Sequence, residues 1–423
     1  MSAVDLDGLR TWALLPASRF VGGNRVELLQ GGDELFPRMV QAIGEARQEV
    51  WLATYIFQSD PAALRVAQAL KDAAGRGVAV HVVVDGFGSM ASLPALRQLL
   101  AGSGVQLEVF RPLDRWYAWL QPGQLRRLHQ KLCACDGQQA FVGGVNLIDD
   151  RHDQNHGWGD TPRLDFSVAL AGPLAASVQA SIRAIWTRAH LGTSWRKEFR
   201  SVARGPRPFR QAVAVLRQLR NAAILTVPVS TAPVQAAFLV RDNLRQRRTI
   251  ERSYVEAIRR AKVRIDLAVP YFYPGHSFMR ALRQAARRGV TVRLLLQGKL
   301  DYRIAGLAAR TLYDDLHTHG VRIFEYTPAF LHAKVAVVDH DWATVGSSNI
   351  DPLSLLLNLE ANLVIRDADF AAALTQRFEQ AVAVSAPVPG PAPGFMWSGW
   401  LRRGLVAWLA NVYLRIAGIT GRY

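Results

Sequence analysis

Short hydrophobic runs that are rich in β-branched residues recur along the chain and predict buried strands. WLATYIF (51–57), VAVHVVV (78–84) and VTVRLLL (290–296) are each bounded by Gly or polar residues, as expected for strands buried on both faces. The segment before Val50 carries apolar residues at helical spacing. Where a helix should end, Gly77 and Gly289 can adopt the left-handed conformation that stops it. Alternating helices and strands predict an α/β fold with mixed sheets flanked by helices.

The pattern occurs twice, because the chain contains an internal repeat. A duplicated unit of roughly 150 residues, longer than any solenoid repeat, predicts two lobes of the same fold. Four blocks of the first half return in the same order in the second: AIGEARQEVWLATYIF (42–57) as AIRRAKVRIDLAVPYF (257–272), KDAAGRGVAVHVVVDG (71–86) as RQAARRGVTVRLLLQG (283–298), LHQKLCACD (128–136) as LHAKVAVVD (331–339), and AFVGGVN (140–146) as ATVGSSN (343–349).

The repeat and the composition of the segments around it divide the chain into four parts. The predicted first lobe covers 18–190 and the second lobe covers 234–384. A basic connecting segment, 191–233, lies between them. The last part, 385–423, combines the Pro-rich linker SAPVPGPAPG with an amphipathic, Trp-rich tail.

Charge and cysteine content restrict the function. The 423 residues include 51 Lys and Arg against 34 Asp and Glu, a net charge of +17. This balance favours an anionic partner, which could be nucleic acid, an anionic membrane surface or a phosphate-bearing substrate, although simple solubility is the alternative. Only Cys133 and Cys135 occur, so neither a disulfide framework nor a Cys/His zinc motif is expected. This low cysteine content fits a protein of a reducing compartment.

Targeting signals are also informative. The first residues, MSAVDLDGLR, carry acids and lack the basic-then-apolar pattern of a signal peptide, which argues against secretion. The chain has no uncharged apolar run of 18 residues or more, so no conventional membrane span is predicted.

Two histidine-lysine pairs are the strongest chemical signal. His129 and Lys131 lie two residues apart in a predicted strand, as do His332 and Lys334. Side chains alternate across a strand, so each histidine points to the same face as its lysine. The alternative, two histidines packed in a core, does not explain why the pair and its surroundings occur twice.

Conserved spacing between the two repeats adds further polar residues. Asp136 and Asp339 lie seven residues after their histidines, which is the opposite strand parity and favours an orienting or turn-stabilising role at the strand end. Asn146 and Asn349 follow the tight sequences GGVN and GSSN, where glycine lets a phosphate approach the backbone closely.

This set of residues fits cleavage of a phosphodiester without a metal or other cofactor. Such a reaction needs a nucleophile, a proton donor for the leaving oxygen, and donors for the non-bridging oxygens. A neutral histidine can attack phosphorus, and a second, protonated histidine can donate to the leaving oxygen. Two lysines and two Asn amides can hold the phosphate. One motif supplies half of this set, which is a physical reason for duplication.

A carboxylate for each histidine would fix its tautomer. LDFSVAL (164–170) aligns with LEANLVI (359–365), which places Asp165 and Glu360 at equivalent positions on strands. The alternative for both residues is a pair of surface acids.

The two motifs resemble those of a known family. HxKxxxxD, present twice, is similar to the signature of the phospholipase D superfamily. The stretch from VRIF to NLVI (321–365) resembles the second half of bacterial cardiolipin synthases, particularly those of the B type, and so do AVPYFYPG, LLLQGKLDYRI and AARTLYDDL before it. TYIF, VVVDGFGS and FVGGVNL extend the resemblance into the first half. It covers roughly residues 25–185 and 235–380.

The resemblance implies two phospholipase D-like lobes related by a pseudo-twofold axis, and a transphosphatidylation reaction. A phosphatidyl group would move from a phospholipid, such as phosphatidylglycerol, through a phosphohistidine to the hydroxyl of another lipid, making cardiolipin. His129 would be the nucleophile and His332 the acid and base. The resemblance assigns catalytic roles to His129, Lys131, Asp136, His332, Lys334 and Asp339, and supporting roles to Asn146, Asn349, Asp165 and Glu360.

One departure from the family concerns the turn after each strand. Many relatives have Ser after the first Gly, whereas the first half here reads GGVN. A hydroxyl contact is therefore expected in the second half alone, at Ser347 or Ser348.

A lipid transferase must reach a bilayer, and two segments are typical of a membrane interface. The loop RPLDRWYAWLQPGQLRR (111–127) places Trp116, Tyr117 and Trp119 among arginines. The uncharged stretch 404–414 of the tail is too short to span, so we expect the tail to lie in the interface, the alternative being a helix packed on the core. The tail carries Phe395, Trp397, Trp400 and Trp408 with Arg402, Arg403 and Arg415.

The partner expected from these observations is a phospholipid on an anionic membrane surface, with no nucleic acid. The expected location is peripheral, at the cytoplasmic face of a bacterial inner membrane. For the basic segment 191–233, headgroup contact and an ordinary solvated face both stay open. A phospholipase D-type hydrolase is the main alternative function and a nuclease the next, although the Trp-rich segments count against a nuclease. One chain contains a complete site; the acceptor lipid and the oligomeric state stay open.

Overall fold

The structure is a computed structural model. It describes residues 19–113, 126–202, 234–242, 246–299, 312–351 and 358–390, with the backbone alone for 191–202. Three predicted features fall outside the described residues: the loop with Trp116, Tyr117 and Trp119, most of the basic connecting segment, and the Trp-rich tail.

The first lobe alternates strands and helices, as its hydrophobic pattern predicts. Its elements are β1 Val21–Gln30, α1 Gly31–Glu45, β2 Glu49–Thr54, α2 Pro61–Gly75, β3 Ala79–Asp85, α3 Leu93–Leu100, β4 Gln106–Phe110, β5 Lys131–Cys135, β6 Gln139–Gly143, β7 His152–Asp153, β8 Gly157–Trp158, β9 Phe166–Ala171 and α4 Leu174–Val202.

The second lobe repeats this order of elements. They are β10 Val234–Arg241, α5 Thr249–Arg260, β11 Arg264–Ala268, α6 His276–Arg287, β12 Thr291–Gln297, α7 Tyr313–Thr318, β13 Arg322–Tyr326, β14 Val335–Val338, β15 Trp342–Gly346, β16 Glu360–Arg366, α8 Ala368–Ala383 and β17 Ala386–Pro387.

The two lobes have the same strand order. The first runs β1-β9-β6-β5-β2-β3-β4, and the second runs β10-β16-β15-β14-β11-β12-β13 with β17 added at its edge. In the first lobe β2, β3 and β4 are parallel, while β5, β6 and β9 are antiparallel to their neighbours. The predicted α/β class with two equivalent mixed-sheet lobes is confirmed. The sequence did not indicate that β1 pairs with β10 and joins both sheets into one of 15 strands.

Local sequence explains where the helices begin and end. The side chain of Asp60 caps α2 by accepting from the backbone N–H of Ala63 at 3.0 Å, and Pro61 occupies the first turn. Gly77 (φ 87°) follows α2 and Gly289 (φ 88°) follows α6. Both predicted left-handed helix stops are therefore confirmed.

A hydrophobic cluster continues from one lobe into the other and carries the site. It includes Leu128 and Leu164 of the first lobe together with Leu331 and Leu359 of the second. Each of these leucines immediately precedes a predicted site residue, so packing at the lobe interface sets the position of that residue.

On β5, Cys133 and Cys135 are buried, free thiols. No helix among the described residues is both long and apolar enough to cross a membrane.

Candidate active site

Backbone hydrogen bonds between the lobes bring the first motif to the second-lobe carboxylate. Leu128 and Leu359 form an isolated parallel bridge. The backbone N–H of His129 donates to the carbonyl oxygen of Leu359 at 3.0 Å, and the N–H of Leu359 donates to the carbonyl of Arg127 at 2.8 Å. Glu360, the next residue after Leu359, is thereby placed beside His129.

The symmetric contact holds the second motif. Leu164 and Leu331 form the equivalent bridge. The N–H of His332 donates to the carbonyl of Leu164 at 2.8 Å, and the N–H of Leu164 donates to the carbonyl of Phe330 at 2.9 Å. Both motifs therefore meet at the pseudo-twofold axis.

Each histidine is bonded to a carboxylate of the opposite lobe. Glu360 Oε2 lies 3.0 Å from His129 Nδ1, and Asp165 Oδ2 lies 2.5 Å from His332 Nδ1. Both acids are almost completely buried, at 0% and 1% exposure, so the surface-acid alternative is wrong. A proton on Nδ1 satisfies each carboxylate and leaves Nε2 as the reactive nitrogen.

The two lysines are buried beside the histidines. Lys131 Nζ donates to the carbonyl of His129 at 2.7 Å, and Lys334 Nζ donates to that of His332. Burial, followed by the charge of Lys334, lowers the pKa of Lys131 to about 7. Burial lowers the pKa of Lys334 to about 8, against the opposing effect of Asp165. Both lysines therefore titrate close to neutral pH.

Burial also governs the histidines and their carboxylates. It lowers the pKa of His129, although Glu360 opposes this, and it lowers the pKa of His332 well below its usual value. Burial raises the pKa of Asp165 to about 6. For Glu360, burial is outweighed by the hydrogen bonds of His129 and Ser347 and by the charge of Lys131, so its pKa is lowered. Both imidazoles are thus neutral at pH 7 in the free site, as a nitrogen nucleophile must be.

The turns after β6 and β15 differ between the lobes. Ser347 is fully buried, and its hydroxyl donates to Glu360 Oε2 at 2.5 Å. Its counterpart, Gly144, faces Asp165 instead: a Cβ there would lie 2.2 Å from Asp165 Oδ1. The predicted hydroxyl of the second half therefore orients a carboxylate. Ser348 donates to the carbonyl oxygen of Asn349 at 3.3 Å.

The two asparagines follow these turns. Asn146 Oδ1 accepts from the backbone N–H of Ile56 at 3.3 Å, which fixes the amide and leaves its NH₂ group to face elsewhere. The buried Oδ1 of Asn349 has no hydrogen-bond partner among the described residues. A buried polar atom of this kind commonly marks a place where a ligand or water binds.

Comparisons with known proteins match most of the chain. The family model described as "Cardiolipin synthase, PLD-like domain" matches residues 39–158 and 254–382. Cardiolipin synthase B of Salmonella typhi is 36% identical over 358 residues, which cover 82% of this chain and 78% of the relative. Cardiolipin synthase B of Escherichia coli is 34% identical over 362 residues, covering 85% and 81%.

The chain belongs to the cardiolipin synthase family. It is thus a phospholipid transferase of the phospholipase D superfamily, as the motif resemblance implies. A solved phosphatidylserine synthase from Haemophilus influenzae aligns over 98% of both chains with a TM-score of 0.64 and 12% identity. At that identity the likeness is one of fold.

The two aspartates of the family signature lie away from the histidines. Asp136 (φ 53°) accepts from the consecutive backbone N–H groups of 47–49, and Asp339 (φ 54°) does the same for 262–264. Strand β5 separates Asp136 from His129 by about 20 Å. The position agrees with the strand parity and contradicts the catalytic role that the resemblance implied for both aspartates. They tie the end of each motif strand to the start of β2 or β11.

Two residues near the site were missed in the sequence. The Tyr55 ring lies 5.1 Å from the His129 ring, and Lys131 Nζ lies 5.4 Å from the centre of the Tyr55 ring. Arg163 lies close enough to lower the pKa of both His332 and Lys334. Tyr55 lies near the carboxyl end of the strand predicted over 51–57 and directly follows β2. Sites of α/β proteins form at that edge of the sheet, and this position was the available signal.

Three basic side chains give the candidate site its positive charge. Lys131 and Lys334 face it from opposite lobes, with Arg163 beside the second motif. Within the described ranges, no group of three or more His, Cys, Asp or Glu side chains is placed to hold a metal ion.

Proposed function

We propose that this chain transfers a phosphatidyl group from phosphatidylglycerol to the hydroxyl of a second lipid and so makes cardiolipin. The supporting observation is the exchange of carboxylates between lobes, His129 with Glu360 and His332 with Asp165. This exchange supports a shared site in which two oriented imidazoles and two lysines act on one phosphate. Family membership supports the substrate class, since the matched relatives are named cardiolipin synthases.

In the first step His129 is the nucleophile. Its Nε2 attacks phosphorus and forms a P–N bond, while the bond from phosphorus to the headgroup oxygen breaks. His332 gives its proton to that oxygen, so glycerol leaves as a neutral alcohol. Glu360 accepts from Nδ1–H throughout and stabilises the positive charge that develops on the ring.

Substrate binding prepares His332 for its role as acid. The free site lowers its pKa because it is buried beside Lys334 and Arg163. A phosphodiester anion bound between the lysines offsets those charges and raises the pKa again. The contact to Asp165 then stabilises the protonated ring.

The second step reverses the first with a different alcohol. The lipid hydroxyl attacks phosphorus as His332 takes its proton, the P–N bond breaks, and His129 is restored. Lys131, Lys334 and the two asparagines hold the non-bridging oxygens by charge-assisted and neutral hydrogen bonds. Water in place of the lipid would give phosphatidic acid.

Product analysis tests this proposal. Full-length enzyme with phosphatidylglycerol vesicles should release cardiolipin and glycerol in equal amounts. Phosphatidic acid as the sole lipid product would favour the hydrolase alternative. Acid-free quenching and peptide mapping should find the phosphatidyl group on His129, and His129→Ala should lose both the adduct and turnover. An adduct on His332 would reverse the assigned roles.

We further propose peripheral association with the cytoplasmic face of a bacterial inner membrane. The short hairpin β7–β8 supports it: Trp158 is 61% exposed and stacks on the ring of His152 at 4.9 Å. Exposed indoles are typical of the headgroup region. Trp158→Ala should weaken co-sedimentation with anionic vesicles, whereas Val263→Ala, at another exposed apolar position, should not. Equal sedimentation of both variants would rule out the hairpin as a contact.

A further inference from the structure

A cluster of four arginines lies along the same sheet edge as His129. The parallel strands β2, β3 and β4 end at this edge, and β5 begins there because it runs antiparallel to β2. Arg111 directly follows β4, Arg126 and Arg127 lead into His129, and Arg188 lies on α4. These four residues are called the arginine cluster below.

Hydrogen bonds hold the cluster together. Arg111 Nη1 donates to the carbonyl of Arg126 at 3.1 Å, and Arg127 Nη1 donates to the carbonyl of Arg111 at 3.3 Å. Arg111 has a φ of 51°, an uncommon conformation for a side chain of this size. The guanidinium of Arg127 also lies 5.3 Å from the ring of Phe87. These contacts join the segments that carry Arg111, Arg126 and Arg127, and the charge of Arg188 acts on Arg111.

Among the residues that the structure describes, two carboxylates act on the four arginines. Asp85 is fully buried, and its Oδ1 lies 3.9 Å from Arg127. Its oxygens already accept backbone N–H groups of 87, 88 and Leu128. Asp242 acts on Arg188. Burial, together with the charges of the other three arginines, lowers the pKa of Arg111 to about 10. Crowded cations of this kind favour an anion among them.

The second lobe shows that the fold does not require this charge. Asp85 Oδ2 accepts from the N–H of Leu128 at 2.8 Å, and in the second lobe Gln297 Oε1 accepts from Leu331 at 2.6 Å. At the positions equivalent to Arg111 and Arg127, the second lobe has Thr327 and Phe330. Those two positions are therefore neutral in the second lobe, where the cation that bonds to the turn is Lys299, whose Nζ donates to the carbonyl of Pro328 at 3.0 Å. The arginines are thus particular to the first lobe, which points to a binding role for them.

The cluster also lies within reach of the reaction. Arg127 is two residues from His129 along the chain, so their Cα atoms are at most about 7 Å apart. Asp85 is near enough to affect the pKa of Lys131. A phosphate bound by the cluster would thus lie beside the histidine site.

We propose that the arginine cluster binds the phosphate of the acceptor phospholipid, an inference that rests on the proposed function. The donor phosphate occupies the histidine site, so a second phosphate needs its own cations. In phosphatidylglycerol that phosphate and the attacking hydroxyl share one glycerol. Binding it by guanidiniums positions the hydroxyl at the phosphohistidine and favours the lipid over water or a simple alcohol.

A competition experiment isolates the acceptor step. Full-length enzyme would receive labelled phosphatidylglycerol vesicles with a fixed amount of ethanol, and the ratio of cardiolipin to phosphatidylethanol would be measured. Both products come from the same phosphatidyl-enzyme, so defects in the donor step cancel. Arg111→Gln should lower the ratio about tenfold, the loss expected for one charge-assisted hydrogen bond. Arg322→Gln, at an exposed arginine on β13, should leave it unchanged.

The outcomes separate this inference from the proposed function. An unchanged ratio in both Arg111→Gln and Arg188→Gln overturns the acceptor role while leaving cardiolipin synthesis intact. A wild-type enzyme that makes no cardiolipin overturns the proposed function itself. A parallel reaction with glycerol 3-phosphate tests the source of the phosphate: if Arg111→Gln reduces its use and leaves the cardiolipin ratio unchanged, the cluster serves a soluble phosphate and the lipid assignment fails. Phosphatidylethanol formation reports whether each variant is folded.

Discussion

Glu360 Oε2 lies 3.0 Å from His129 Nδ1, although the two residues belong to different lobes and are 231 positions apart. Asp165 and His332 form the reciprocal pair across 167 positions. Neither lobe therefore contains a complete histidine-carboxylate unit. The two imidazoles are therefore oriented by contacts between the lobes.

The first prediction follows from this exchange. Glu360→Gln should lower kcat for cardiolipin formation about a hundredfold, because a neutral amide stabilises the charged imidazole less and can orient the wrong tautomer. The measurement is the initial rate with phosphatidylglycerol vesicles. Glu379→Gln, a half-exposed glutamate bonded to Arg293, is the matched control. Wild-type activity in Glu360→Gln would mean that the carboxylate is dispensable.

The lysines predict a pH dependence. A lysine is cationic below its pKa, and Lys131 and Lys334 have pKa values of about 7 and about 8. In the free enzyme kcat/KM should therefore fall as the pH rises through this range. In Lys131→Arg, whose guanidinium stays charged, the decline should begin about one unit higher, where Lys334 titrates.

The exposed Lys262 provides the control for that profile, since Lys262→Arg leaves the charge of the site unchanged. The profile is measured at constant ionic strength to keep vesicle binding equal. Identical profiles for wild-type enzyme and Lys131→Arg would assign the alkaline limb to another group.

Asp136 should be a stability residue. Asp136→Ala removes an acceptor of three backbone N–H groups and leaves alanine at a φ of 53°, a loss of about 2 kcal/mol or more. Thermal unfolding measures it, with kcat retained below the transition. Asp136→Asn tolerates the left-handed backbone and should lose less. A large fall in kcat without a change in Tm would instead support the catalytic role.

The pH dependence of that contribution has a definite sign. Hydrogen bonds to the backbone of 47–49 hold the pKa of Asp136 below its ordinary value of 3.8, although burial opposes them. The folded state thus binds the proton less readily than the unfolded chain. The stabilisation is complete above about pH 4 and is lost as the pH falls through the folded pKa, so the difference in Tm between wild type and Asp136→Asn should shrink in acid.

Gly144 should tolerate no side chain. The Cβ in Gly144→Ala would lie 2.2 Å from Asp165 Oδ1, so the Asp165 carboxylate must shift, and we expect this to weaken its bond to His332. We expect the rate to fall at least about tenfold. Gly44→Ala is the control, because nothing lies within 4 Å of a Cβ there and alanine favours the helix. An active Gly144→Ala would show that Asp165 can orient His332 from a second position.

Sequence patterns were sufficient for much of the fold. Buried strands such as VAVHVVV and the glycine stops after α2 and α6 are local features, set by side-chain periodicity and backbone sterics within a few residues. The repeat of these local patterns in the same order identified two equivalent lobes. The β1–β10 pairing that joins their sheets depends on two strands far apart in the chain, and nothing in either strand encodes its partner.

The features of the candidate site also fall into local and long-range ones. The sequence by itself determined that two His-Lys pairs exist and that Asp136 and Asp339 lie at the far ends of the strands that follow them, because spacing along an extended chain is a local property. Both histidines lie just before β5 and β14 and not in a strand as predicted. Tertiary structure decided that Glu360 pairs with His129 and Asp165 with His332, that Ser347 orients a carboxylate, and that Arg111 meets Arg126 and Arg127 at one sheet edge. Those relationships depend on the docking of the lobes and the meeting of strand ends at one edge, which bring together residues that sequence spacing leaves unrelated.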